Sequence, residues 1–126
     1  MNNLPQKLYG LRKSKGLMQE ELAEALGAEV LHEGDIDHEV EGVYVGDQIG
    51  RAAGRIGRGS AWVTIMRNVN VAAAAEISGA ACVFLAESVQ PDDELKERLK
   101  FISASVLKSA DSAYVLAWKI HQVSGL

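Results

Sequence analysis

From Gly42 onward the chain alternates short apolar runs with longer mixed stretches. The runs "VYVG" at 43–46, "AWVTIM" at 61–66, "ACVFLA" at 81–86 and "SVL" at 105–107 are each the length of one strand. Between and after them, apolar positions recur at helical spacing and predict helices near 47–57, 70–78, 92–100 and 110–123. Nearly continuous apolar strands separated by helices are the pattern of βα units, whose parallel sheet is covered on both faces. The expected fold is therefore α/β: a single compact domain with a mostly parallel central sheet and helices on its faces.

Local chemistry sharpens several of these elements. "AAAAE" at 72–76 predicts a helix that approaches the sheet closely at little cost in side-chain entropy. Pro91 followed by "DDEL" predicts a helix start, because proline stops the preceding structure and the acidic residues complement the positive helix end. In the last helix, Tyr114, Leu116, Ala117, Trp118, Ile120 and His121 are expected near an apolar face that packs across the sheet, with Ser109 or Asp111 as N-cap.

The stretch before Gly42 carries a competing signal. "LRKSKGLMQEELAEALG" at 11–27 resembles the opening of a repressor-type helix-turn-helix, through Leu11, Arg12, Gly16, Leu17, Gln19, Leu22 and Ala23. That motif needs a second, recognition helix soon afterwards. Here the first helix is expected to end near Gly27, and "AEVLHE" centres on Val30 and Leu31 before the turn residues Gly34 and Asp35. Six acidic residues and no lysine or arginine lie between Glu29 and Glu41, the wrong sign for a phosphate-contacting face. The preferred reading is an N-terminal extension at 1–18, a first helix and "AEVLHE" as first strand, with the domain over 19–126. A DNA-binding transcriptional regulator acting through residues 11–27 is the alternative.

A length of 126 residues fits one core, and 48% hydrophobic with 24% charged residues is an ordinary globular balance. The net charge of −4 opposes nucleic-acid binding. The lone Cys82, set in an apolar run, excludes an internal disulfide and fits a reducing cytoplasm. No apolar run approaches a membrane span, so the membrane is not an expected partner.

Catalytic patterns are missing. "GRIGRGS" lacks the Gly-Lys-Ser/Thr ending of a P-loop and precedes a strand instead of following one. His32, His38, His121 and Cys82 show no zinc-ligand spacing, and no Gly-x-Ser-x-Gly elbow is present. The expectation is a non-enzymatic protein with no cofactor and no metal.

In open parallel sheets, ligands collect at the carboxyl ends of the strands. The loops at those ends hold Gly46 and Asp47; Arg67, Asn68 and Asn70; Glu87 and Ser88; and Lys108, Ser109, Asp111 and Ser112. The expected ligand-binding residues are Gly46, Asp47, Arg67, Asn68, Asn70 and Ser88, with Arg67 and the following helix N-terminus holding negative charge. Asn70 reads equally well as the N-cap of that helix. Arg51, Arg55 and Arg58 are spaced to share one helix face, read here as its solvated side.

Most of the chain, from about Glu20 to Ile120, resembles the DRTGG-domain family of α/β modules. "IDHEVEGVYVGD" is similar to that family's Asp-Arg/His segment leading into a Gly-Val-x-Val-Gly strand, through Asp37, Gly42, Val43, Val45 and Gly46. "AWVTIMRNVNVAAAA", "ACVFLAESVQPDDEL" and "SADSAYVLAWKI" resemble its later elements in the same order. The name-giving strings differ. Arg67, Asn68, Val69 and Asn70 stand where members have Asp-Arg-Thr-Asp, and Glu87 and Ser88 where they have Gly-Gly. The first change reverses local charge and the second removes close backbone approach. The resemblance implies a regulatory module without catalysis, a homodimer formed through surfaces such as "VAAAAEI" and "AYVLAWKI", and an anionic small-molecule ligand such as a nucleotide, or a protein partner.

Overall fold

The computed structural model describes residues 19–35, 39–47 and 54–126. Helix α1 (Gln19–Leu26) leads into β1 (Glu29–His32), then β2 (Gly42–Val45), β3 (Ser60–Thr64), α2 (Asn70–Ser78), β4 (Cys82–Leu85), α3 (Asp93–Leu99), β5 (Ser105–Lys108) and α4 (Ala113–Ser124). The helix-turn-helix signal at residues 11–18 and the extension at residues 1–18 lie outside the described residues. Within them, α1 is followed by a strand, as "AEVLHE" predicts.

The five strands form one sheet in the order β1-β5-β4-β3-β2. β2, β3, β4 and β5 run parallel to their neighbours, and β1 pairs antiparallel with β5 at the edge. Strand alternation then sorts the core into two halves. Ala61, Val63, Cys82, Phe84 and Leu107 face α1 and α4, meeting Leu22, Leu26, Leu116 and Ile120. Trp62, Val83, Leu85 and Val106 face α2 and α3, meeting Val71, Ala72, Ala75, Leu95 and Leu99. The result is a single α/β domain of three layers, the expected architecture. Burial pushes the Cys82 thiol up to about 12, so it stays protonated and serves as a small packing group.

Helix α2 falls on the predicted 70–78, with Val71, Ala72, Ala74 and Ala75 buried against the sheet. Its alanine-rich face lets the backbone sit close, and Gly79, at φ 73°, closes it in the left-handed conformation. Helix α3 begins as Pro91 and the acidic run predict, with the Asp92 side chain accepting from the Leu95 N–H at 2.9 Å.

Three expectations need correction. The N-cap of α4 is Ser112, whose hydroxyl accepts from the Val115 N–H at 3.2 Å, and not Ser109 or Asp111. Those two are engaged elsewhere: the Ser109 N–H donates to Leu85 O at 2.9 Å, and the Asp111 carboxylate pairs with Lys119 at 2.7 Å. The buried stripe of α4 is Leu116, Ile120 and Val123, while Tyr114, Trp118 and His121 face solvent. Both stripes have spacings of four and three, so periodicity alone does not choose between them.

The third concerns the arginines. Of the helix expected near 47–57, residues 48–53, including Arg51, lie outside the described residues. Arg55 closes a short helical stretch, but Gly57 then takes φ 46° and Arg58 lies in the turn before β3. Arg55 and Arg58 therefore do not share a helix face. Arg58 lies instead over Gly79, where an added Cβ would stand 3.2 Å from its guanidinium.

Candidate functional site

The parallel strands bring the loops after β2, β3, β4 and β5 to one edge of the sheet. Each of these loops is tied to its neighbour. After β2, the Asp47 carboxylate accepts from the Thr64 hydroxyl at 2.7 Å and from the Ile65 N–H at 3.0 Å, which fixes the loop against the end of β3. Gly46 O accepts from the Trp62 indole N–H at 2.8 Å, linking the same loop to the core. Neither Thr64 nor Trp62 stood out as a site residue in the sequence.

After β3, Arg67 reaches the loop beyond β4. Its Nε donates to Gln90 O at 2.7 Å, and its carbonyl accepts from the Asp92 N–H at 2.9 Å. No further bond joins the Arg67 side chain to another described residue, and that side chain is exposed. The N-cap of α2 is Val69, with no side-chain cap, and not Asn70; just before it the Asn68 Oδ1 accepts from the Asn70 N–H at 3.0 Å. Asn70 is the first residue of the helix. The Val71 and Ala72 N–H groups are taken by Asn68 O and Val69 O, both at 3.0 Å, so this helix start is largely satisfied within its own loop.

After β4 the chain turns sharply. Glu87 and Ser88 have φ values of 58° and 57°, and the Val89 N–H closes the turn on Ala86 O at 3.2 Å. Two successive side-chain-bearing residues in the left-handed region are costly, roughly 1–2 kcal/mol each. Glycine adopts this conformation without that cost, a physical reason for the Gly-Gly that the resemblance places here. The turn is held from outside: the Glu87 N–H donates to Asp111 O and the Ser88 N–H to Ser109 O, both at 2.8 Å.

Those two bonds decide what this part of the edge can do. The chain leaves β4 toward α3 on one face of the sheet and leaves β5 toward α4 on the other, which makes the gap between β4 and β5 the topological switch point where α/β sheets open a crevice. Here the Glu87 and Ser88 N–H groups span that gap and clasp the two loops together. The backbone donors that would meet an anion are occupied. What stays exposed is Arg67, with the exposed Asn68 and Asn70 beside it on the chain.

A concavity begins beside the loop after β3. α2 and α3 flank a groove of about 340 Å³ lined by Val69, Asn70, Ala72, Glu76, Arg98 and Phe101, among others. Of the six expected site residues only Asn70 reaches it. The remainder have no polar pattern that marks a site, and sequence reading passes over them. Among the described residues no group of three or more His, Cys, Asp or Glu is placed to hold a metal, and no helix is long and apolar enough to cross a membrane.

A four-stranded parallel sheet with an antiparallel edge strand, two helices on each face and short strand-end loops defines a small α/β domain. The chain belongs to the DRTGG domain family, whose model matches residues 21–123. A search of curated proteins found no match. Among solved structures, the chain is similar to the CBS and DRTGG domains of the regulatory region of Clostridium perfringens pyrophosphatase, crystallised with its activator diadenosine tetraphosphate. The two share 17% identity with a TM-score of 0.72, over 93% of this chain and 51% of that one. The chain thus spans about half the length of that neighbour.

Proposed function

We propose that this protein is a non-catalytic regulatory module that senses an anionic small molecule, a nucleotide being the leading class, through the loops carrying Gly46, Asp47, Arg67, Asn68, Asn70 and Ser88. The observation that carries this reading is Arg67. Its Nε is anchored on Gln90 O at 2.7 Å and its side chain is exposed at the strand-end edge of the sheet, which leaves the rest of the guanidinium fork for a phosphate or carboxylate. Asp47, held by Thr64 and Ile65, and Ser88, held by Ser109 O, shape the neighbouring loops. Membership of the DRTGG family and the regulatory, dinucleotide-bound neighbour support the same class of role.

A thermal-shift screen of nucleotides and phosphorylated metabolites will find the ligand, because a molecule bound only by the native state raises Tm. Titration calorimetry then tests the site. Arg67→Gln keeps an amide donor for Gln90 O and removes the charge, and is expected to weaken binding about tenfold to a hundredfold, the worth of a charge-assisted hydrogen bond. Unchanged affinity in a folded variant would place the site elsewhere.

The module works as a homodimer in this reading. Tyr114 and Trp118 stand one turn apart on the outer face of α4, 80% and 54% exposed. An antiparallel pairing of two α4 helices would set Tyr114 of each copy beside Trp118 of the other, the self-complementarity that a two-fold interface requires. Sedimentation at micromolar concentration is expected to show twice the 13.5 kDa chain mass. A monomer there, or a dimer unaffected by Trp118→Asp, contradicts this interface.

A further inference from the structure

Between the edge strand β1 and helix α3 lies a hollow of about 280 Å³, at the small end of the range for small-molecule sites. Leu31 and His32 line it from β1, and Lys96, Leu99 and Lys100 from α3 and its end. Gln90 and Pro91, in the segment that leads into α3, complete it. None of Gly46, Asp47, Arg67, Asn68, Asn70 and Ser88 lines it, so it stands apart from the strand-end loops.

The charge of this hollow runs against that of the chain, whose net charge is −4. Three other hollows among the described residues each include a glutamate: Glu76 in the α2–α3 groove, Glu94 and Glu97 where that groove continues past Phe101, and Glu20 and Glu33 beside α1. The β1–α3 hollow has no carboxylate and two lysines four residues apart. Like charges at that spacing destabilise a helix, and a bound anion would relieve them. The Lys96 ammonium has no hydrogen bond or ion pair with another described residue. Lys100 pairs with Glu97 at 3.4 Å, with both side chains exposed, and an exposed pair of this kind holds weakly.

The walls are fixed in advance of any ligand. The His32 Nε2–H donates to Ile102 O at 3.0 Å, which ties β1 to the chain just after α3 and leaves Nδ1 as an acceptor. On the other side, Arg67 Nε donates to Gln90 O at 2.7 Å and the Asp92 N–H to Arg67 O at 2.9 Å, so the segment entering α3 is held on both sides of Pro91. Pro91 and Leu99 are buried and Leu31 is half-buried, which gives the hollow an apolar wall beside its cations. Free phosphate would use the lysines and leave that wall and His32 unused.

We infer that the β1–α3 hollow is a second anion site, built for a small phosphate ester that carries a hydroxyl-bearing ring. Lys96 and Lys100 hold the phosphate, Leu31 and Pro91 pack against the ring, and His32 Nδ1 accepts from a hydroxyl. An apolar wall with a few converging polar groups is the usual make-up of a small-molecule site.

Titration calorimetry of the full chain with adenosine monophosphate, adenosine and inorganic phosphate tests it, with amide chemical shifts of the labelled protein locating the bound molecule. The ester is expected to bind at least about tenfold more tightly than either of its parts, and to shift the amides of Leu31, His32 and Lys96. Lys96→Gln and Lys100→Gln should each weaken it about tenfold, while Lys96→Arg keeps it. Arg98→Gln removes the same charge from the same helix, but Arg98 lines the α2–α3 groove. At physiological salt that variant should change the affinity by less than about twofold. All three positions are exposed, so circular dichroism should stay the same. An ester that binds no better than inorganic phosphate, or equal losses in Lys96→Gln and Arg98→Gln, would overturn the proposal. Shifts confined to Arg67, Asn68 and Asn70 would overturn it too, and would place the anion at the strand-end loops instead.

Discussion

Gly34→Ala is expected to cost about 3 kcal/mol or more of unfolding free energy, read as a lower urea midpoint at unchanged m-value. The cause is a close approach of backbone to backbone. A Cβ at Gly34 would overlap Ser103 O and stand 2.6 Å and 2.7 Å from the carbonyl carbons of Ser103 and Ala104. No flexible side chain is there to give way, so the loop after β1 must move off β5. Moving it also breaks the bonds that hold it: the Gly34 N–H to Ser105 Oγ at 2.9 Å and the Asp35 N–H to Ser103 O at 2.7 Å. Each is worth about 1 kcal/mol, and more where a buried group loses its partner. Ser105 is buried and also bonds the buried Gln19, so the disturbance extends to the start of α1. A variant within about 0.5 kcal/mol of the parent would show that this edge of the sheet shifts freely.

In the sequence Gly34 reads as a turn residue and nothing more, because the feature that makes it indispensable is the main chain of residues 103 and 104, far away along the chain. The same distinction separates what was legible elsewhere. The βα rhythm, the alanine-rich helix at 70–78 and the start of α3 are local signals, and the structure has them where local chemistry puts them. The run "AWVTIM" extends past β3 because its last apolar residues continue the pattern. The strand stops at Thr64, where the Asp47 carboxylate takes the Ile65 N–H and the ladder ends.

Helix α4 shows the limit of periodicity. Leu116, Ile120 and Val123 share the spacing of Tyr114, Trp118 and His121, and only the sheet decides which stripe is buried. The candidate site was legible as a set of loops, since parallel strand order brings their ends together. Its inner bonding was not. The clasp from Glu87 and Ser88 to Asp111 O and Ser109 O is made by backbone atoms, which leave no trace in residue identity. The clasp also explains how two residues that disfavour the left-handed region hold it: the loop after β5 fixes the turn from outside.

The largest single effect is expected at Trp62, where core and candidate site share one side chain. Trp62 is fully buried on the α2–α3 face, packed with Val83, Leu85 and the alanines of α2, while its indole N–H donates to Gly46 O at 2.8 Å. Trp62→Ala removes the largest buried side chain of the domain and leaves a cavity bounded by alanines too short to fill it, so a loss of about 3–5 kcal/mol is expected. Trp62→Phe keeps most of the apolar contact and removes the donor, with an expected loss of about 1–2 kcal/mol. The two variants should also separate packing from positioning. With the indole bond gone, the loop of Gly46 and Asp47 rests on Thr64, Ile65 and the Gly46 N–H bond to Val63 O at 3.1 Å. Hydrogen exchange at Gly46 and Asp47 in Trp62→Phe should therefore rise more than the global loss of stability accounts for, while the amides of β4 follow the global change alone. Equal acceleration at both places would mean that Trp62 supports the core and leaves the loop of Gly46 and Asp47 unheld.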